Sequence, residues 1–268
     1  MTPSSELSLR LSRAIDLARE AGELLRAGFG SVDAVEHKGV IDLVTDFDLR
    51  SERLLVDGLR RSFPEDPILA EEGGGAGGDR RWLIDPLDGT TNFAHGLPQF
   101  AISIAYAEGG VVRLGVVYDP LREELFEALE GTGARMNGKA IRVSQTAELD
   151  QSLLVTGFPY DIRTHPETNL DHFAHFALRS LGVRRLGSAA LDLAYVACGR
   201  FDGYWELRLS PWDWAAGLLL VREAGGRVTR LDGGMDVFRP PTSIVASNGR
   251  IHDAMLEELE KKVKSGQW

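Results

Sequence analysis

The chain has 268 residues, 43% hydrophobic and 26% charged, enough for a substantial core in one large domain or two fused lobes. With 30 basic against 40 acidic residues the formal charge is −10, which argues against nucleic-acid binding and, unless a local cation intervenes, against an anionic substrate. Cys198 is the single cysteine, so no internal disulfide forms, and no apolar run nears the ~18 residues of a membrane span.

No apolar leader surrounds Glu6, so the expectation is a cytoplasmic protein with no membrane partner. Residues 7–29 carry Leu7, Leu11, Ile15, Ala18 and Leu25 at helical spacing, ended by Gly28 and Gly30. Residues 42–45 read as a short extended piece, 47–63 as a helix stopped by Pro64, and 68–71 as a strand. The glycine-rich run 73–78 reads as a flexible flap. Residues 81–85 form a strand broken by Pro86. Residues 101–106 and 111–118 make a hairpin about Gly109-Gly110, and 125–130 and 139–143 are further strands, with Asn137-Gly138 as a tight turn.

The second half alternates. Strands are expected at 153–156, 184–186, 204–207, 228–231 and 243–246, and helices at 169–181, 189–198, 213–224 and 252–263. Alternation predicts a second sheet covered by helices. The whole reads as one unit over 1–268, with lobes 1–145 and 146–268.

Acidic residues gather where strands end: Glu71-Glu72, then Asp85-Pro86-Leu87-Asp88-Gly89-Thr90-Thr91-Asn92-Phe93, and later Trp212-Asp213. Carboxylate and carbonyl oxygens suit hard cations such as Mg2+. A break at Pro86 lets Asp85 and Asp88 turn toward a common point, where the Leu87 carbonyl can join them. The run from Gly89 looks like a helix start, whose free N–H groups suit phosphate. Carboxylates placed just before an anion nest are the layout of a metal-assisted phosphoesterase. Neighbours on a strand face opposite ways, so Glu71 and Glu72 cannot both point at one metal. The six histidines form no catalytic motif; His172 and His175 are three apart on an expected helix and read as a solvated face rather than a soft-metal site. Trp205, Trp212 and Trp214 read as core, and Cys198 as a small core residue.

These motifs resemble the inositol monophosphatase family. Residues 85–93 match its first signature, Trp212-Asp213-Trp214-Ala215-Ala216-Gly217 its second, and Asp42-Leu43-Val44-Thr45-Asp46-Phe47-Asp48 and Glu71-Glu72 fall in the family's order. The likeness runs nearly end to end and points to a superfamily of lithium-sensitive, magnesium-dependent phosphatases. It implies an α/β fold of the α+β type, a layered α-β-α-β-α sandwich of mixed and antiparallel sheets with covering helices. It implies Mg2+ ligands at Glu71, Asp85, the Leu87 carbonyl, Asp88 and Asp213, with Lys38 and Glu72 supporting from behind. It also implies in-line attack on phosphorus by a water that Thr90 and Asp48 orient, with two metals able to clamp the attacking and leaving oxygens, and a homodimer.

Substrate contacts are implied at Asp88, Gly89, Thr90, Thr91, Gly187, Ser188, Ala189, Glu206 and Asp213. Glu206 matches the family residue that accepts hydrogen bonds from inositol hydroxyls. A carboxylate there favours a neutral polyol over a second phosphate, so inositol monophosphate leads as substrate. Histidinol phosphate, fructose 1,6-bisphosphate and adenosine 3′,5′-bisphosphate are alternatives on the same metal core. A non-catalytic binding or regulatory protein on this fold is the alternative of another class.

Overall fold

The computed structural model describes residues 3–31, 35–37, 43–75, 78–240 and 242–261. Helix α1 (Pro3–Gly28) leads through the small hairpin β1 (Val35–His37) and β2 (Leu43–Thr45) to α2 (Asp46–Ser62). The first large sheet follows: β3 (Ile68–Ala70), β4 (Gly74–Gly75), β5 (Arg80–Asp88), the short α3 (Thr90–Ala94), β6 (Ala101–Glu108), β7 (Val111–Asp119), β8 (Glu124–Leu129), β9 (Ala134–Met136) and β10 (Lys139–Ala140). Its order is β10-β9-β8-β7-β6-β5-β3-β4, antiparallel except between β3 and β5. The second sheet, ordered β12-β11-β13-β15-β14, uses β11 (Leu153–Thr156), β12 (Gly182–Arg184), β13 (Gly203–Glu206), β14 (Arg227–Arg230) and β15 (Ile244–Ser247). Helices α4 (Leu170–Ala177), α5 (Ala189–Ala197), α6 (Pro211–Glu223) and α7 (His252–Glu260), with a 3-10 turn at Leu149–Gln151, complete the described elements.

Strand alternation builds the layers. On β5 and β6, Trp82, Ile84, Ile102 and Ile104 pack with Leu17, Leu25, Leu55 and Leu59 of α1 and α2. Their neighbours Leu83, Ala101 and Ala105 join Leu191, Leu193, Trp214 and Leu218 of α5 and α6 on the other face. The second sheet covers the far side of α5 and α6, and its outer face packs Leu154, Trp205 and Val245 against Phe176 of α4 and Met255 and Leu259 of α7. The result is the α-β-α-β-α order. Helix α6 sits close to the first sheet: a Cβ on Gly115 of β7 would lie 2.7 Å from the Ala216 carbonyl oxygen and 2.8 Å from its Cα.

Four expectations change. Strand β5 does not stop at Pro86 but runs to Asp88. The ladder to β6 slips there, from Asp85 opposite Ser103 to Asp88 opposite Ala101, so β5 carries one extra residue. This is a bulge, the place where a sheet tolerates a residue without an N–H. Part of the glycine-rich run is paired: Gly74–Gly75 pairs with β3, and the Glu52 carboxylate accepts the Glu72 and Gly73 amides at 2.8 and 2.7 Å. Strand β9, too short for a pattern, was not expected. Strand β12 begins two residues earlier than expected, at Gly182.

Candidate active site

The same alternation aims the acids. On β5, Leu83 faces α5 and α6, so Asp85 does too. Glu71 extends β3, its N–H donating to the Ile84 carbonyl at 3.2 Å, and shares the parity of Leu69, which packs on that inner face. Ser103, opposite Asp85, donates to the Trp212 carbonyl at 3.1 Å, which brings the start of α6 over the strand ends. Glu71, Asp85, Leu87, Asp88, Gly89, Thr90, Thr91, Gly187, Ser188, Ala189, Glu206 and Asp213 all line one cavity of about 280 Å3. Glu72 lines a different hollow, with Glu52 and Leu49. Lys38 and Asp42 lie outside the described residues.

Two of the acids are held by one device. Asp48 and Asp213 each occupy the third position of a helix and close a capping box, with Thr45 and Ser210 as the caps. Asp213 Oδ2 accepts the Ser210 N–H at 2.7 Å. Asp48 Oδ2 accepts the Thr45 N–H at 2.8 Å, and Oδ1 accepts the Thr90 hydroxyl at 2.7 Å. The Thr90 oxygen is also 3.1 Å from the Leu87 carbonyl. A hydroxyl has one proton, and the shorter contact to a carboxylate takes it.

The turn from β5 into α3 requires Gly89. Its φ is +101°, and a Cβ there would stand 2.9 Å from the Gln99 carbonyl oxygen. Helix α3 is a single turn of five residues, so its dipole is weak. Asn92 ties this turn to the second sheet's side, donating to the Gln99 and Leu186 carbonyls at 2.7 and 2.8 Å. Beside it, Asp88 accepts from the Ser188 hydroxyl at 2.6 Å and from the Ala190 and Ala189 amides at 2.7 and 3.3 Å. The N-terminus of α5, expected to meet sugar hydroxyls, is thus occupied by Asp88.

Burial pushes the Asp85 and Asp213 carboxyls well above the usual range, and neighbouring acids, Glu71 first, push them further. Asp88 rises to about 6 through burial, against the pull of its three donors. Burial also raises Asp48, opposed by its Thr45 and Thr90 hydrogen bonds. Glu206 is pushed up to about 7 by burial, although the Tyr204 hydroxyl donates to it at 2.8 Å. Among the described residues no three acids already converge on one point as a finished metal cage; they line the cavity wall.

Two readings of single residues are revised. Trp212 lines the cavity, whereas Trp205 and Trp214 are core. His175 is not on a solvated face: its Nε2 meets the buried Glu258 of α7. Tyr160, a residue 60% exposed, lines the same cavity on the side of Glu71, Asp213, Asp88 and Asp85. Sequence reasoning missed Tyr160, Arg208 and Asp192, all cavity residues. For Asp192 a signal existed, one acid inside the otherwise apolar Ala189–Ala197 helix; for Tyr160 and Arg208 there was none.

The sequence profile of the inositol monophosphatase family matches residues 6–264. The chain belongs to the inositol monophosphatase family. Nus factor SuhB of Escherichia coli (strain K12) is 45% identical over 258 residues, 94% of this chain and 96% of that one. The fructose-1,6-bisphosphatase/inositol-1-monophosphatase of Thermotoga maritima is 44% identical over 256 residues, 95% of this chain and 97% of that one. Among solved structures, the inositol monophosphatase of Anabaena (Nostoc) sp. PCC 7120 superposes with a TM-score of 0.89 at 44% identity, covering 98% of this chain and 100% of that one. Membership and fold agree with the resemblance drawn from the signatures, and no helix among the described residues is long and apolar enough to cross a membrane.

Proposed function

We propose that the chain hydrolyses small phosphate monoesters, inositol monophosphate first among them, with Mg2+ held by Glu71, Asp85, the Leu87 carbonyl, Asp88 and Asp213. The donor set supports this: it is all oxygen, buried or half-buried, and holds like charges that raise the pKa of Asp85 and Asp213, a wall that a hard cation relieves. Bound there, magnesium would neutralise phosphate charge and acidify a coordinated water.

The observation that carries the reading is the Thr90–Asp48 hydrogen bond at the cavity wall. Because Thr90 donates to Asp48, its remaining lone pairs accept a proton from a water in the cavity. That water attacks phosphorus in line with the ester oxygen as its proton passes to Thr90 and the Thr90 proton to Asp48; the bond between phosphorus and the ester oxygen breaks, and the departing alkoxide takes a proton from solvent. Burial raises the Asp48 pKa, which suits a proton acceptor. Glu206 faces the ester's alcohol part and accepts its hydroxyls. The same family reading makes the protein a cytoplasmic homodimer.

The test is phosphate release from inositol monophosphate, histidinol phosphate, fructose 1,6-bisphosphate and adenosine 3′,5′-bisphosphate, in magnesium and in chelator. The highest kcat/KM is expected on inositol monophosphate. A higher value on another substrate replaces the polyol assignment, and no release from any ends the phosphatase reading. Relatives at 45% identity are named Nus factor, which favours a second, non-catalytic binding role. Such a role survives Asp88→Asn, whereas hydrolysis does not.

A further inference from the structure

Asp192 lies on α5 four residues beyond the N-cap Ser188, inside an apolar helix. It is 1% exposed and lines the same cavity as Glu206. The other acids nearby have donors: Asp88 has Ser188 and two amides, and Glu206 has the Tyr204 hydroxyl. Asp192 Oδ1 has none and is shut away from solvent. A buried polar atom without a partner is costly and rare. Because the residue also lines a cavity, a molecule bound there can complete it.

We propose that Asp192 is a specificity residue, forming with Glu206 a two-carboxyl recess that receives neighbouring hydroxyls of a polyol phosphate. This rests on the phosphatase reading and adds to it that the substrate carries at least two adjacent free hydroxyls. The charges facing Asp192 are Glu206 and Asp88, which repel, and Arg185, which attracts. Burial, more than these, favours its neutral acid form. A neutral carboxyl both donates and accepts, as a hydroxyl does.

The experiment compares inositol 1-phosphate with 4-nitrophenyl phosphate in wild type, Asp192→Ala and Asp192→Asn, with thermal melts of all three. Alanine suits a helix interior, and asparagine keeps one donor and one acceptor. Asp192→Ala is expected to lose about 10- to 100-fold in kcat/KM on inositol 1-phosphate, carried by KM, and to stay within about threefold on the aryl phosphate. Asp192→Asn should recover most of the loss. Neither variant should melt below wild type. Equal losses on both substrates, a loss confined to kcat, or an unchanged KM for inositol 1-phosphate in Asp192→Ala overturns the proposal while leaving the phosphatase reading intact. A wild-type protein that hydrolyses neither ester overturns both.

Discussion

Thr90 donates its hydroxyl proton to Asp48 across 2.7 Å, although 42 residues separate them in the chain. The acceptor is the third residue of α2 and the donor the first of α3, so two helix starts are joined behind the cavity wall. If Thr90 orients the attacking water, its contribution is made in the transition state. Thr90→Ala should lower kcat and kcat/KM together by about 100-fold, the scale of one lost general-base contact. Steady-state kinetics check this; a rise in KM alone would make Thr90 a phosphate-binding residue instead.

Asp88 joins the cavity wall to the start of α5 through Ser188, Ala189 and Ala190. Asp88→Asn should reduce turnover in saturating magnesium by at least about 100-fold, since several kcal/mol of charge stabilisation depend on such a ligand. Without metal the same variant should melt no lower than wild type, because burial disfavours the Asp88 charge more than its donors favour it. Kinetics and a melt in chelator test the two halves separately.

The signature string was legible because its groups are consecutive: Asp85, Leu87 and Asp88 lie within four residues, and one bulge gathers them. Parity on a strand separated Glu71 from Glu72, and the two line different hollows. Long helices α1, α2 and α6 were legible from periodicity and their stops. What was not legible depends on pairing or distance. β4 and β9 have two and three residues and exist only through their neighbours. Continuation of β5 through Pro86 depends on a slip against β6. The contact of Asp88 with α5 spans 100 residues or more, and Glu52 binds the flap from 20 residues away; no local pattern announces either.

Arg10 of α1 places Nε and Nη2 on Asp66 Oδ2 at 3.2 and 2.8 Å, with its guanidinium carbon 4.8 and 4.9 Å from the Phe63 and Tyr106 ring centres. Both partners are buried, and among the described residues Arg80, at 3.4 Å, is the one ion-pair partner that would remain to offset Asp66. Arg10→Met should therefore destabilise the fold by roughly 3 kcal/mol, the cost of stranding a buried charge. Urea unfolding measures it, and activity per folded molecule should be unchanged.

His252 is buried between two hydroxyls, with Ser247 Oγ 2.9 Å from Nδ1 and Thr229 Oγ1 2.9 Å from Nε2. Thr229 spends its proton on the Arg230 carbonyl at 2.8 Å, so Nε2–H donates to Thr229 and Nδ1 accepts from Ser247. Burial, with Arg227 adding, lowers the His252 pKa to about 4. The unfolded chain then takes up this proton first as pH falls. The stability His252 contributes is complete above about pH 6.5 and is lost progressively down to about pH 4, on the order of 2 kcal/mol after allowance for screening. Urea unfolding of wild type and His252→Gln at pH 7.5 and 4.5, without metal, should show the gap between them narrowing at the lower pH; a constant gap would contradict it.

The central claim is that this cavity hydrolyses a phosphate ester with water under magnesium control. The most direct measurement is wild-type turnover of inositol monophosphate in 18O-water across a magnesium titration. Turnover should be absent in chelator and rise to saturation with magnesium, each released phosphate carrying one solvent oxygen and the polyol none. Turnover that ignores magnesium, or solvent oxygen in the polyol, would contradict the account.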